Sequence, residues 1–142
     1  MVLLGVDYGE RRTGVAASDA LGVLASPVKV LEGVPLKKLP AALATIVEER
    51  GAAKIILGLP LNMDGSRGEK AQKCEALAVR LRETLGLPVE LWDERLTTVA
   101  AHRALNETNV RGAKRKNIVD AVAAVMILQS YLDRKDDGNS LV

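Results

Sequence analysis

Residues 2–19 read VLLGVDYGERRTGVAASD. An aliphatic run ends on a carboxylate, Asp7, with Gly5, Gly9 and Gly14 around it, and a second apolar run begins at Gly14. The unbroken run before Asp7 predicts a strand covered on both faces. The carboxylate at its end has two readings. Asp7 either opens the turn DYGE, for which Asp and Gly are suited, or stands at a sheet edge where ligands gather.

Working outward, residues 12–20 predict a second strand and 26–33 a third. The links between them are short and rich in Gly, Asp or Pro, as in an antiparallel meander. The period then changes. Leu39, Ala42, Leu43, Ile46 and Val47 mark one face of a helix that begins near Leu39 and ends at Gly51. Residues 53–60, AKIILGLP, predict a central parallel strand. After a turn at Asp64-Gly65, Ser66 and Glu69 have capping-box spacing. Ala71, Cys74, Ala78, Leu81 and Leu85 then form the buried stripe of a helix that Gly86 ends. Residues 87–96 predict a fifth strand, and Thr97 or Thr98 caps a further helix. The last helix, residues 117–132, is apolar around most of its circumference. Three strands in a meander followed by helix-linked strands imply a mixed α/β sheet with helices on both faces.

The 142 residues suit one domain, 1–134, with a polar, flexible tail at 135–142. No apolar run approaches the ~20 residues a membrane span needs, and no leader pattern is present. One cysteine, Cys74, excludes an internal disulfide and fits a reducing cytoplasm. Its helical spacing makes it a small core residue. With His102 it is too little for a zinc site of N and S ligands, so any metal here takes oxygen ligands. The net charge of +2 is mild, but Lys and Arg cluster in RGAKRK, Arg111 to Lys116. Tyr8, Trp92 and Tyr131 are the whole aromatic set, which favours contacts to a nucleic-acid backbone or duplex over stacking on single strands.

Asp7, the Asp93-Glu94 pair and Asp120 are acidic residues at strand ends or in apolar surroundings. Singly, each has a plain structural reading: a turn, a solvated strand end, and a carboxylate facing the dipole of a helix capped by Asn117. Brought together they would repel and be desolvated, and a divalent cation relieves both. Oxygen-only ligands select magnesium or manganese. Asp93 and Glu94 alternate in direction if the strand runs through both, so only one can share Asp7's side. Arg11 and Arg12 either bind phosphate or form a solvated hairpin tip. The segment Asn62 to Gly68, with Asp64, Gly65 and Ser66, is either a phosphate-binding turn or a plain capped turn.

DYGERRTGVAASD (7–19), GLPLNMDGSRG (58–68), DERLTT (93–98) and VDAVAAVMILQSYL (119–132), in that order, resemble the YqgF/RuvX family of the ribonuclease H-like superfamily. The family is described as Holliday junction resolvases. The resemblance spans roughly residues 3–132. It implies a five-stranded sheet of order 3-2-1-4-5 with strand 2 antiparallel. It also implies metal-dependent endonuclease cleavage of structured RNA or branched DNA, and, in bacteria, maturation of the 5′ end of small-subunit ribosomal RNA on precursor particles. The motif carries over onto Asp7, Glu94 and Asp120. Two Mg2+ or Mn2+ ions about 4 Å apart would flank the scissile phosphate, with Asp7 bridging and Glu94 and Asp120 each holding one. Related resolvases place their second acid at the end of the fourth strand. Here that strand ends in Gly58-Leu59-Pro60 without an acid, so Glu94 is an inference and Asp93 its rival. Lys114, Arg115 and Lys116 would hold the backbone, or else form a solvated charge run. Arg95 would orient Glu94 or meet phosphate. Two other functions fit the same residues: a non-catalytic RNA- or ribosome-binding module, and a phosphotransferase of the actin and sugar-kinase type. The oligomeric state, monomer or homodimer, stays open.

Overall fold

The computed structural model describes residues 1–97 and 121–134. The meander forms as expected: β1 (Val2–Asp7), β2 (Arg12–Ser18) and β3 (Ala25–Glu32). Helix α1 (Leu39–Arg50) leads to β4 (Ala52–Leu59), and α2 (Glu69–Leu85) leads to β5 (Val89–Asp93). Residues 121–134 are helical and are called α3. The sheet order is β3-β2-β1-β4-β5. Strand β2 is antiparallel to β1 and β3, and β4 is parallel to β1 and β5. This is the order that the resemblance implied.

The two apolar faces of the sheet follow from strand alternation. Leu4, Val6, Val15, Ile55 and Leu57 point to one side, where they pack with α1 and α2. Leu3, Ala16 and Ile56 point to the other, where they pack with Ala124, Ile127 and Leu128 of α3. Helices therefore cover both faces. Helix α3 approaches closely because Gly5 has no side chain: a β-carbon there would lie 2.6 Å from Leu128 Cβ and 3.0 Å from the Ala124 carbonyl oxygen. Gly51 and Gly86 end α1 and α2 in the left-handed conformation, at φ 65° and 66°. Among the described residues, no helix is long and apolar enough to cross a membrane.

Two local expectations fail. The capping box does not form: α2 begins at Glu69 with Gly68 as N-cap and no side-chain cap. Ser66 is engaged by the preceding turn instead, donating Oγ–H to Asp64 Oδ1 at 2.6 Å and its backbone N–H to the same oxygen at 2.9 Å. The fifth strand stops at Asp93 rather than running to residue 96. Glu94–Leu96 form a 3-10 turn capped by the Asp93 carboxylate, which accepts the Arg95 N–H. The helix expected to start at Thr97 or Thr98, the Asn117 cap, the loop 111–116 and the tail 135–142 fall largely or wholly outside the described residues.

Candidate active site

Asp7 ends β1 and is 3% exposed. It lies two residues beyond Gly5, so both face α3. Its partner across the antiparallel ladder is Gly14. On the other side, Val6 is level with Leu57, which places Asp7 level with Gly58 at the end of β4. The acid thus stands between two residues without side chains. Gly58 also faces α3, since a β-carbon on it would lie 2.7 Å from Ile127 Cδ1. The same position would lie 3.3 Å from Cγ and from Cδ of Glu94. The Glu94 carboxyl group therefore lies over Gly58, on the side of the sheet that Asp7 faces, one inter-strand spacing of about 4.8 Å away. Gly58 leaves room at the end of β4, and Glu94 reaches over it from the end of β5.

Asp93 points the other way. It is level with Leu59, and the residue before it, Trp92, faces α3, packed edge-on to Tyr131 with ring centroids 5.3 Å apart. The Asp93 carboxylate is held by Arg95, whose Nε donates to Oδ1 and Oδ2 at 3.1 and 3.0 Å and whose Nη2 donates to Oδ2 at 2.7 Å. The Arg95 hydrogen bonds pull the Asp93 carboxyl below the usual carboxylate range against the opposing effect of burial. Arg95 also reaches the Met63 carbonyl at 3.5 Å, tying the end of β5 to the loop after β4. Sequence alone did not reveal this fork.

That loop is closed on itself. Asn62 N–H donates to the Ser66 carbonyl at 2.9 Å and Gly65 N–H to the Asn62 carbonyl at 2.8 Å. Asn62 Nδ2 donates to Ser66 Oγ at 2.9 Å. The Ser66 hydrogen bonds hold the Asp64 carboxyl below its ordinary value. The amides of Asn62, Gly65 and Ser66 thus already have partners within the turn. Arg12 is likewise engaged, with Nε donating to Glu32 Oε1 at 3.0 Å across the β2–β3 ladder. Arg11 is exposed at the β1–β2 turn. Cys74 is a core residue as expected. Its burial, with Glu94 and Asp7 acting the same way and Lys70 opposing, pushes its thiol up to about 12.

Asp120, Lys114, Arg115 and Lys116 lie outside the described residues. Among the described residues, no group of three or more His, Cys, Asp or Glu is placed to hold a metal ion. What the described part offers is two carboxylates on one face, at the ends of the two strands that flank β4, a donor set of oxygen only. That set fits a hard divalent cation such as magnesium or manganese.

A family model described as RuvX, Holliday junction resolvase, matches residues 1–134. A Myxococcus xanthus protein named "Putative pre-16S rRNA nuclease" is 47% identical over 133 residues, covering 94% of this chain and 88% of its own. A Desulfitobacterium hafniense protein of the same name is 48% identical, covering 94% and 92%. Among solved structures, T. thermophilus RuvC in complex with a Holliday junction substrate superposes with TM-score 0.58 at 15% identity, over 94% of this chain and 96% of that one. The fowlpox virus Holliday junction resolvase gives TM-score 0.54 at 13% identity, over 94% and 99%. At these identities the two structures speak to fold, and the fold they share is ribonuclease H-like. With the family model matching residues 1–134 and these relatives 47% and 48% identical over 94% of the chain, this chain belongs to the RuvX family.

Proposed function

We propose that the protein is a divalent-metal-dependent endonuclease that hydrolyses phosphodiester bonds of structured nucleic acid, with the 5′ region of pre-16S rRNA as its substrate in the cytoplasm. The single observation that carries this reading is that Asp7 and Glu94 face the same side of the sheet at the ends of the two strands flanking β4, with Gly58 between them. The relatives' pre-16S rRNA nuclease names point to the RNA substrate. The family description favours a second substrate, the four-way DNA junction.

In this reading Asp7, Glu94 and Asp120 hold Mg2+ or Mn2+, and Asp120 is assigned from the sequence motif alone. When bound, the ions would act as Lewis acids on the scissile phosphate. The chain's own part is placement. Asp7 is fixed by the β1–β2 and β1–β4 ladders, and Glu94 by the turn that Asp93 caps. Asp93 is a positioning residue here: its fork with Arg95 sets the turn from which Glu94 reaches over Gly58. Residues 1–134 act as one nuclease domain.

The test offers purified protein a pre-16S 5′ segment and a four-way junction, each with magnesium and with manganese. Metal-dependent cleavage of the RNA that Asp7→Asn abolishes supports the reading. Cleavage of the junction alone shifts the substrate to DNA. Tight binding with no cleavage of either, under either metal, replaces the enzyme with a binding module.

A further inference from the structure

The strand ends around Asp7 carry many charges, and among the described residues most are already neutralised in pairs. Lys73 donates to Glu10 at 2.8 Å and lies 3.5 Å from Glu69, with Lys70 beside them, so this corner holds two acids and two bases. Arg67 pairs with Glu75 at 2.7 Å, Arg95 with Asp93, and Arg12 with Glu32. Among the described residues, Lys70 lies against Glu10 and Glu69, whereas Arg11, Lys37 and Lys38 have neither an ion pair nor a neighbouring acid in a shared cluster. All three are exposed. The Gly33 N–H donates to the Arg11 carbonyl at 2.9 Å, joining the β1–β2 turn to the chain that leaves β3, and the 3-10 turn Leu36–Lys38 follows three residues later. The outer strand β3 is two inter-strand spacings from β1, about 10 Å, or some three nucleotide rises along one strand of a double helix.

The aromatic side chains bear on the partner. Tyr8 is 5% exposed and Tyr131 6%. Trp92 is half-buried, edge-on to Tyr131, and donates Nε1–H to Ser130 Oγ at 3.1 Å. The chain has no phenylalanine. Every aromatic ring of the protein is therefore in or against the core, and none is presented to a base. Gripping a single strand by stacking has no platform here, whereas phosphates of a helix need only cations.

We propose that Arg11, Lys37 and Lys38 form a rim that holds the sugar-phosphate backbone of a double-helical segment beside the Asp7–Glu94 site. This rests on the nuclease reading for the identity of the neighbouring site, and it adds the form of nucleic acid the protein engages and the residues that grip it.

The test uses the full chain carrying Asp7→Asn, so that nothing is cut, and measures binding of an RNA duplex of about 16 base pairs and of one of its single strands across a salt series. Three phosphate contacts contribute about 2.7 to the slope of log affinity against log salt, roughly a 40-fold change between 50 and 200 mM. Arg11→Ala/Lys37→Ala/Lys38→Ala should remove most of that slope and weaken duplex binding tenfold or more, with the double Lys variant intermediate. Arg50→Ala is the control. It removes an exposed cation from the other end of α1, about 18 Å away along the helix axis, and should leave the slope unchanged. An unaltered slope in the triple variant, an equal loss in Arg50→Ala, or a single strand that binds as tightly as the duplex overturns the rim. Cleavage measured separately in an otherwise wild-type background distinguishes the two proposals. A rim that binds duplex in a protein that cuts nothing refutes the nuclease reading alone. Normal duplex binding by the triple variant, with cleavage still lost in Asp7→Asn, refutes the rim alone.

Discussion

Glu94 lies across Gly58, close enough that a β-carbon on the glycine would be 3.3 Å from the glutamate's carboxyl carbon. This packing relationship brings an acid from the end of β5 over the end of β4. It makes Gly58 as consequential as the acids themselves. In Gly58→Ala the new methyl displaces the far end of Ile127, which is flexible, and moves Glu94 by a few tenths of an ångström. The expected result is a small loss of stability, about 1 kcal/mol or slightly more, with cleavage reduced at least tenfold. Wild-type activity in Gly58→Ala would place the second acid elsewhere.

Exchange of the acids separates ligand from support. Glu94→Gln should abolish cleavage while leaving the melting temperature nearly unchanged. Asp93→Asn should keep measurable activity, because it loosens the Arg95 fork without removing a ligand. Asp120→Asn should abolish cleavage if Asp120 is a ligand. If it only caps its helix, it should cost roughly 1 kcal/mol of stability with activity retained. A dead Asp93→Asn with an active Glu94→Gln would reverse the assignment of the two neighbours.

Gly5 has a different kind of importance. Its missing side chain is filled by Leu128 Cβ and the Ala124 carbonyl, which are rigid parts of α3. Gly5→Ala must push the whole helix off the sheet. It should cost about 3 kcal/mol, at the upper end for overpacking, read as a lowered denaturant midpoint in far-UV circular dichroism. A loss below about 0.5 kcal/mol would mean that α3 is not seated as described.

Carboxylates drawn together without cations repel, so manganese should raise the melting temperature by mass action on the folded state. Asp7→Ala should lose most of that rise and melt no lower than wild type in chelator. The same manganese response in both proteins would remove the proposed site.

Cys74 supplies a pH signature of the core. Its thiol is pushed up to about 12 from an ordinary value of 9.0, chiefly by burial. The folded protein therefore holds this proton when the unfolded chain has released it. The associated stability is present below pH 9.0 and is lost as pH rises from there towards about 12. Over that range wild type should lose stability more steeply than Cys74→Ala. At neutral pH the thiol should react with iodoacetamide only on unfolding. Rapid alkylation of the native protein would show that Cys74 is not buried between α2 and the sheet.

Local pattern in the sequence determined the order of the described elements and a mixed sheet, while the strand order 3-2-1-4-5 came with the resemblance of its motifs to a family. An aliphatic run ending on Asp7, a shift from strand to helix period near Leu39, and glycines at 51 and 86 are local signals, and local backbone preferences obey them. It also singled out Asp7 and Glu94, with Asp93 as an equal neighbour. It could not separate those two, because alternation fixes direction only relative to a strand's own axis and only while the strand continues. The tertiary structure decided which way each points. β5 stops at Asp93, the Arg95 fork turns the chain, and Glu94 falls over Gly58, a residue 36 positions earlier by its number. The same holds for the cations. Arg12 looks as available as Arg11 in sequence, but Glu32, 20 residues away, neutralises it once β2 and β3 pair. Gly5 is one glycine within the first strand until Leu128 packs against it. Pairings between distant segments are set by register and packing density across the whole sheet, and no window of sequence contains both partners.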